Sequence, residues 1–213
     1  MKLDVPFYLQ TTPFDCGLTA LRMILTYIDK DIDLEILKHQ NNIKDNEAIL
    51  TIQIAITAQL LGYKTTFFSK QINFNESNLS LDFYKKHPNI LQKSKELIKK
   101  AEDIGVKLEE KHLSLKEILE KIKEDCGAII LLDWNIVNKV ENKGYQGHFV
   151  PIVGYDEENI YVHNHGFNNP TKFLAIKIGI FEKARKAEGT DEDIVFIHKF
   201  KQPQIQKQMI LKV

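Results

Sequence analysis

The change in hydrophobic pattern near residue 127 most constrains the fold of this 213-residue chain. Before it, apolar residues recur at helical spacing in several segments, among them 17–29 and 47–61. After it, short apolar runs such as AIILLDW (128–134) and HFVPIVGYD (148–156) are typical of strands. Helices followed by strands predict an α+β fold, in which an N-terminal helical part packs on a C-terminal antiparallel β-sheet.

The same criteria place the remaining elements. Further helices are predicted at about 33–41, 90–104, 114–126 and 177–187, and further strands at 64–70, 159–165 and 193–199. Residues 71–89 have the composition of a loop. The length suits a single domain over residues 1–213.

Composition excludes several classes of partner. Lys+Arg and Asp+Glu number 29 each, so no basic excess indicates a nucleic-acid surface. The most apolar run, 48–63, is too short and too polar to cross a membrane, and the N-terminus lacks the apolar core of a signal peptide. Two cysteines make no disulfide framework. We therefore expect a reduced, cytoplasmic protein that binds neither nucleic acid nor membrane.

The setting of Cys16 suggests a nucleophile. Asp15 can act as the N-cap of the first helix, which puts Cys16 in its first turn, where free N–H groups and the helix dipole stabilise a thiolate. Gly17 allows a substrate carbonyl to approach, and the Cys16 amide can donate to an oxyanion. Gln10, six residues earlier across a Pro-containing bend, can supply a second donor from its side chain.

A base for this thiol is predicted on the later strands. His148 opens one apolar strand, and Asn164 ends the next strand sixteen residues on. An antiparallel pair with an odd-length turn centred on Asp156 would place His148 directly opposite Asn164. Asn164 would then orient the imidazole, which completes a Cys–His–Asn set.

The segments that contain Gln10, Asp15–Cys16–Gly17 and Gly147–His148 resemble papain-like cysteine peptidases, specifically the C39-type family. In that family a Gln six residues before the Cys, and an Asp or Asn about sixteen after the His, have the roles given above. The resemblance therefore implies a papain-like fold, a peptide or protein substrate, and no cofactor or metal.

A narrower resemblance concerns YQGHFVPIVGYD (145–156), FEKARKAEGTDEDIVFI (181–197) and the VPFYLQ…FDCGLTALRMIL opening. These are similar to the guanylyl cyclase domain-containing protein 1 family and its plant relatives, which resemble C39-like peptidases in fold. The C39 pattern is not followed everywhere: Asn164 is followed by His165, where transporter-associated domains have Asp and Pro. No ATP-binding cassette or membrane region follows, so peptide export is not implied. Residues 71–113 match neither family, and are expected to form a lid or specificity insertion.

Alternatives exist for several residues. His163 and His165 could bind zinc with His148, but alternation along a strand should turn both away from Asn164. Gly17, Gly147 and Trp134 are expected to line the substrate cleft, although Trp134 could equally pack in the core. Cys126 is expected to be structural, because free cysteines are usually buried.

The predicted reaction is hydrolysis of an amide or peptide bond through a thioester. A transamidase, acyltransferase or deamidase would use the same residues. A guanylyl cyclase is the alternative that the related family's name suggests, although the sequence has no glycine-rich phosphate loop. A non-catalytic peptide-binding module is the remaining alternative, and it would not need a nucleophile.

Overall fold

The computed structural model describes residues 1–44, 47–87, 89–141 and 143–201. Its helices are α1 Cys16–Ile28, α2 Leu34–Gln40, α3 Thr51–Leu60, α4 Asp82–Lys85, α5 Ile90–Asp103, α6 Leu115–Lys121, α7 Trp134–Val137 and α8 Ile178–Arg185, with a 3-10 helix at Glu76–Ser80. Its strands are β1 Tyr63–Ser69, β2 Lys107–Glu110, β3 Cys126–Asp133, β4 Gly147–Tyr155, β5 Asn159–Asn164, β6 Thr171–Lys177 and β7 Ile194–Lys201.

The described strands form one seven-stranded sheet in the order β2-β1-β7-β3-β4-β5-β6. Neighbouring strands are antiparallel except β1 and β2, which are parallel. The predicted α+β fold class is confirmed. The sheet departs from the prediction in one respect. Strands β1 and β2 come from the part of the chain before residue 127, and their parallel pairing makes the sheet mixed.

The centre of the sheet carries the core. All eight residues of β3 are buried, which requires cover on both faces of the sheet. Helices α1 and α8 both contact this strand, while α3 packs on β1 and β7. Helix α1 also lies against β4, so the start of α1 and the start of β4 come together on one side of the sheet.

Residues 71–113 are integrated into the fold. They contain the predicted helix α5 and the strand β2, while the 3-10 helix and α4 lie where a loop was predicted for 71–89. Pro88 lies outside the described residues. Helix α5 packs on α3, and β2 pairs with β1 at the edge of the sheet. The segment therefore contributes both to the helical layer and to the sheet.

The local signals for the long elements are confirmed. Helix α1 begins at Cys16 after the N-cap Asp15, and Ser114 with Glu117 forms a capping box at the start of α6, where a helix was predicted to begin. Helix α6 ends earlier than predicted, at Lys121, and β2, β6 and α7 were not predicted.

Among the described helices, none has the length and apolar character that crossing a bilayer requires.

Candidate active site

Cys16 is the first residue of α1, and it is half-buried. The N-cap Asp15 does not use its side chain to cap the helix. Its carboxylate instead accepts hydrogen bonds from Thr11 Oγ1 at 2.5 Å and from the Thr12 amide at 3.0 Å. Asp15 therefore fixes the turn that leads into α1, and so fixes the position of the thiol.

The electrostatics of Cys16 differ from the predicted thiolate. Burial of the sulfur raises the pKa of the Cys16 thiol, and backbone hydrogen bonds from Phe149 and Gly17 only partly oppose this. The charge of Asp15 raises the pKa further. The thiol is thus protonated at neutral pH, because desolvation outweighs the helix N-terminus.

Gln10 is buried next to this turn. Its backbone N–H donates to His165 O at 3.0 Å, and its side-chain Nε2 donates to Thr12 O at 2.9 Å. Because a carboxamide nitrogen carries two hydrogens, one N–H of Gln10 remains for another acceptor. Its Oε1 atom is buried and has no hydrogen-bond partner among the described residues.

His148 lies near the start of β4, where it pairs with Leu132 of β3. Its ring is buried, and its Nε2 atom has no hydrogen-bond partner within the described part of the chain. The Trp134 ring meets it edge-on, and the centroid of the His165 ring is 5.1 Å from its own. Burial, helped by His165, lowers the pKa of His148 to about 3, against a hydrogen bond with Asn164 that raises it.

Asn164 ends β5 and is also buried. Its Nδ2 donates to Asn168 O at 3.1 Å and to Asn169 O at 2.8 Å, and its Oδ1 accepts from the Gly166 amide at 3.3 Å. These backbone contacts hold the carboxamide rigidly. Because both Nδ2 hydrogens are in use, Asn164 accepts the hydrogen bond of the His148 ring with a fixed oxygen, as an orienting residue requires.

The predicted pairing of His148 with Asn164 is wrong in register. The β4–β5 ladder pairs Ile152 with Val162, and a bulge follows before Gly154 pairs with Tyr161. The two side chains interact all the same, because they meet diagonally across the neighbouring strands. Asp156 behaves as the predicted turn residue, since its carboxylate accepts from the amides of Glu158 and Asn159.

Three of the predicted site residues converge on Gly166. A Cβ placed on this glycine would lie 3.5 Å from Asn164 Oδ1, 3.6 Å from His148 Cε1 and 3.7 Å from Gln10 Oε1. Cys16 approaches the same region from α1, because its sulfur contacts the backbone of Phe149, the residue after His148. The structure thus brings Gln10, Cys16, His148 and Asn164 into one region.

Of the three residues expected to line the substrate cleft, Gly17 and Trp134 pack against neighbouring side chains, and Gly147 lines the cavity described below. A Cβ on Gly17 would lie 2.6 Å from Ile49 Cδ1, so this glycine serves the packing of α1. Gly147 pairs with Asp133, and a Cβ there would collide with the Tyr145 hydroxyl. Trp134 is buried against the His148 ring, which makes it a packing residue of the site.

His165, which the sequence presented only as an alternative zinc ligand, lies in the candidate site. Its ring is fully buried, with Nε2 2.9 Å from Cys16 O and Nδ1 3.1 Å from His163 O. It was expected to point away from Asn164, but its ring instead lies beside His148. His165 therefore connects the end of β5 to the start of α1.

The structure does not support the alternative in which His148, His163 and His165 bind zinc. Both ring nitrogens of His163 are used, Nε2 by Val5 O at 3.0 Å and Nδ1 by the Phe173 amide at 3.1 Å. Within the described ranges, no group of three or more His, Cys, Asp or Glu side chains could hold a metal ion. Cys126 is buried at the start of β3, as predicted for a structural residue.

A cavity of about 250 Å³ opens beside Cys16. Gly147 and Phe149 of β4 line it, as do Phe83 and Tyr84 from the 71–113 segment. The cavity is thus open to the thiol from the side of the sheet. Asp193, the residue before β7, also lines it.

Comparison with solved structures identifies the fold. A Bacillus anthracis protein described as a C39-like peptidase matches with a TM-score of 0.55 at 14% identity, over 95% of this chain and 100% of that chain. The peptidase domain of Streptococcus ComA, a bifunctional ABC transporter, matches with a TM-score of 0.50 at 11% identity, over 91% and 98%. A double glycine motif protease of an AMS/PCAT transporter, in complex with its leader peptide, matches with a TM-score of 0.50 at 14% identity, over 92% and 94%. The chain therefore has the fold of C39 peptidase domains.

Sequence comparison identifies the family. Guanylyl cyclase 1 of Arabidopsis thaliana is 26% identical over 212 residues, which cover 92% of this chain and 76% of that protein. The sequence profile of the family described as guanylylate cyclase matches residues 5–197, most of the chain. The chain belongs to this guanylylate cyclase family, whose member described here has a C39 peptidase fold.

Proposed function

We propose that this protein is a cysteine peptidase-type hydrolase that cleaves an amide or peptide bond through Cys16, His148 and Asn164. The observation that carries the proposal is the buried Nε2 atom of His148, which has no partner among the described residues. An unpaired buried ring nitrogen costs free energy, so its retention favours a functional role. The Cys16 sulfur contacts the backbone of the next residue on β4, which makes the thiol the natural proton donor.

The reaction proceeds in two steps. Cys16 Sγ attacks the carbonyl carbon while His148 Nε2 takes the thiol proton, and the same proton then passes to the leaving amine as the C–N bond breaks. A thioester on Cys16 remains. Water attacks it with His148 as base, which releases the acid and returns the proton to the sulfur.

The developing oxyanion is held by two donors. One is the backbone N–H of Cys16 at the start of α1, and the other is the remaining side-chain N–H of Gln10. Donors fixed before the reaction stabilise the charge that forms in the transition state without reorganisation. Gln10 is so fixed, because its amide and its backbone are both hydrogen-bonded.

The resting site is a neutral thiol beside a neutral imidazole. The pKa of Cys16 is raised and the pKa of His148 is lowered to about 3, both by burial. Proton transfer therefore accompanies attack on the substrate. Asn164 serves this step because its hydrogen bond raises the pKa of His148 and so makes the ring a better base.

A peptide or protein is the proposed substrate. The AMS/PCAT protease of the same fold is in complex with a leader peptide, which supports peptide binding in a cleft of this kind. No cofactor is required, since nucleophile, base and oxyanion donors all come from this chain. We propose that the hydrolysis takes place in the cytoplasm and involves neither nucleic acid nor a membrane as a partner.

Guanylyl cyclase activity is the second candidate. It is favoured by the family to which the chain belongs and by the name of the Arabidopsis relative. Such a reaction would not use the thiol of Cys16. The two candidates therefore differ in their dependence on a single sulfur atom.

The deciding experiment measures both activities on the same preparations. Wild type, Cys16→Ala, His148→Ala and Cys126→Ala are each incubated with a proteome-derived peptide library, and new peptide termini are identified by mass spectrometry. Parallel samples receive GTP with Mg²⁺ or Mn²⁺ and are assayed for cyclic GMP. An added amine acceptor separates hydrolysis from acyl transfer, because a transferase leaves an amide product.

We expect cleavage by wild type and by Cys126→Ala, and none by Cys16→Ala or His148→Ala. Cys126 is the matched control because its thiol is buried outside the site. Cleavage that persists in Cys16→Ala would refute the proposal. Cyclic GMP formed equally by wild type and Cys16→Ala, without peptide cleavage, would establish the second candidate instead.

A further inference from the structure

The cavity beside Cys16 has one charged residue among its described lining residues, Asp193. Most of its wall is apolar, with contributions from Phe14, Ile49, Leu131 and Phe149. A single carboxyl in an apolar cavity is poorly solvated, so its interaction with an opposite charge is stronger than at the surface. The lining is thus suited to a side chain that is apolar along its length and positively charged at its end.

Only one oxygen of the Asp193 carboxyl has a hydrogen-bond partner among the described residues. Its Oδ2 accepts from Thr51 Oγ1 at 2.5 Å, whereas its Oδ1 is buried and has no hydrogen-bond partner within the described residues. Ser69 lies nearby, but its hydroxyl donates to Gln71 O at 2.8 Å. One carboxyl oxygen is therefore left for a donor that the described chain does not supply.

Within the described residues, no positive charge offsets the Asp193 carboxyl. Burial raises the pKa of Asp193 to about 7, the nearby hydroxyls of Thr51 and Ser69 oppose the rise, and the charge of Asp191 adds to it. No lysine or arginine in the described chain is among the groups that act on it. A cation placed beside Asp193 would thus meet an uncompensated negative site.

Aromatic rings form the side of the cavity contributed by residues 71–113. Tyr84 and Tyr145 stack with ring centroids 5.8 Å apart, and Phe83 meets Tyr145 edge-on at 5.9 Å. All three residues line the cavity. The faces of aromatic rings attract cations, and their area covers the aliphatic part of a lysine or arginine side chain.

We propose that this cavity is a specificity subsite for a cationic side chain, lysine or arginine, of the peptide substrate, with the charged end at Asp193. This inference rests on the proposed function, because Cys16 and the subsite line the same cavity. Residues 71–113 then determine specificity through Phe83 and Tyr84. Since the cation binds the ionised carboxyl, the preference should strengthen as the pH rises through about 7.

Asp193 also has a structural contact that the test must separate from recognition. Thr51 is the first residue of α3, so the Asp193–Thr51 hydrogen bond ties β7 to this helix. An asparagine at 193 keeps an oxygen for Thr51 but removes the charge. Asp193→Asn is therefore the variant that changes recognition with the least change in packing.

The test uses iodoacetamides that carry alkyl chains of increasing length and end in an ammonium, a methyl or a carboxylate group. Modification of Cys16 is followed by mass spectrometry, and each rate is divided by the rate of the same reagent with N-acetylcysteine. In wild type we expect the ammonium reagent to be about tenfold or more faster than the methyl reagent, since a charged hydrogen bond is gained. The carboxylate reagent should be slowest. The preference should rise between about pH 6 and pH 8, around the pKa of Asp193 of about 7.

Asp193→Asn should bring the ammonium and methyl rates together. Asp156→Asn, in the exposed β4–β5 turn, is the matched control and should keep the wild-type ratio. Equal rates of the ammonium and methyl reagents with wild type would refute the subsite, but they would not contradict the role of Cys16 as nucleophile. Failure of all three reagents to modify Cys16 would overturn the proposed function together with the subsite. If Asp193→Asn does not fold, the subsite is tested by wild type alone, through the relative rates of the three reagents with Cys16 and the dependence of those rates on pH.

Discussion

The indole ring of Trp134 meets the imidazole ring of His148 edge-on, with the ring centroids 4.6 Å apart and the planes at 68°. Trp134 is the first residue of α7, and its amide donates to Gln146 O at 2.7 Å. This hydrogen bond anchors the start of α7 to the segment that precedes β4. The indole therefore shields the base of the candidate site from water.

Removal of this ring should change the titration of His148. Burial lowers the pKa of His148 to about 3, so Trp134→Ala should raise it toward the ordinary value of about 6.5. The neutral ring of wild type persists through pH 5, whereas that of the variant should become protonated as the pH falls below about 6.5. NMR titration of the His148 Cε1 proton measures this directly.

Trp134→Phe is the matched control, because a phenyl ring keeps an edge-on contact and should leave the pKa close to that of wild type. On the acid side, the proposed peptidase activity should be lost at higher pH in Trp134→Ala than in wild type. An unchanged His148 titration in Trp134→Ala would show that other groups exclude water from the ring.

Gln10→Ala should reduce kcat by about 10²–10³-fold with a much smaller change in KM, as expected when an oxyanion donor is lost. Gln40→Ala, which removes a carboxamide that donates to Leu60 O in another part of the fold, should have wild-type kinetics. Steady-state kinetics on a peptide identified in the library screen would measure both. An equal rise in KM with unchanged kcat would instead make Gln10 a residue of ground-state binding.

Gly17→Ala should destabilise the fold by about 1–3 kcal/mol, since the added methyl group overpacks the core. Its Cβ would lie 2.6 Å from Ile49 Cδ1 and 3.0 Å from Ile54 Cδ1. Gly179 in α8 is the matched control, because a Cβ there meets nothing within 4 Å. Gly179→Ala should therefore be neutral or stabilising by up to about 1 kcal/mol.

Urea denaturation measures both changes. The double variant Gly17→Ala/Ile49→Val should recover part of the lost stability, because it removes the Cδ1 atom that the new methyl group meets. A Gly17→Ala protein as stable as wild type would mean that α1 shifts freely on the sheet. In that case the glycine would be retained for the approach of substrate.

The start of α1 and the capping box of α6 could be predicted because their signals are local. Asp15, Ser114 and Glu117 act within a few residues of the helix ends that they define. Strands β2 and β6 could not be predicted in this way. The charged β2 and the mostly half-exposed β6 lie at the two edges of the sheet, and pairing with a neighbouring strand defines them better than their own pattern does.

The candidate site could be predicted only in part, because its electrostatics depend on parts of the chain that are distant in sequence. The spacing of Gln10, Cys16, His148 and Asn164 gave the set of residues, but not their electrostatics. The raised pKa of Cys16 and the lowered pKa of His148 arise from burial by distant parts of the chain. The position of His165 depends on the irregular pairing at the end of β5, where a bulge after Val162 breaks the alternation.

The sheet order has a consequence for the timing of activity during synthesis. Cys16 precedes His148 in the chain, and His148 lies on β4, whose neighbour β3 is flanked on its other side by β7, the last described strand. A nascent chain therefore carries its thiol long before the partner ring can be held in place. Until residues near 200 are available to close the sheet, the unfinished chain cannot hold Cys16 and His148 in their final arrangement.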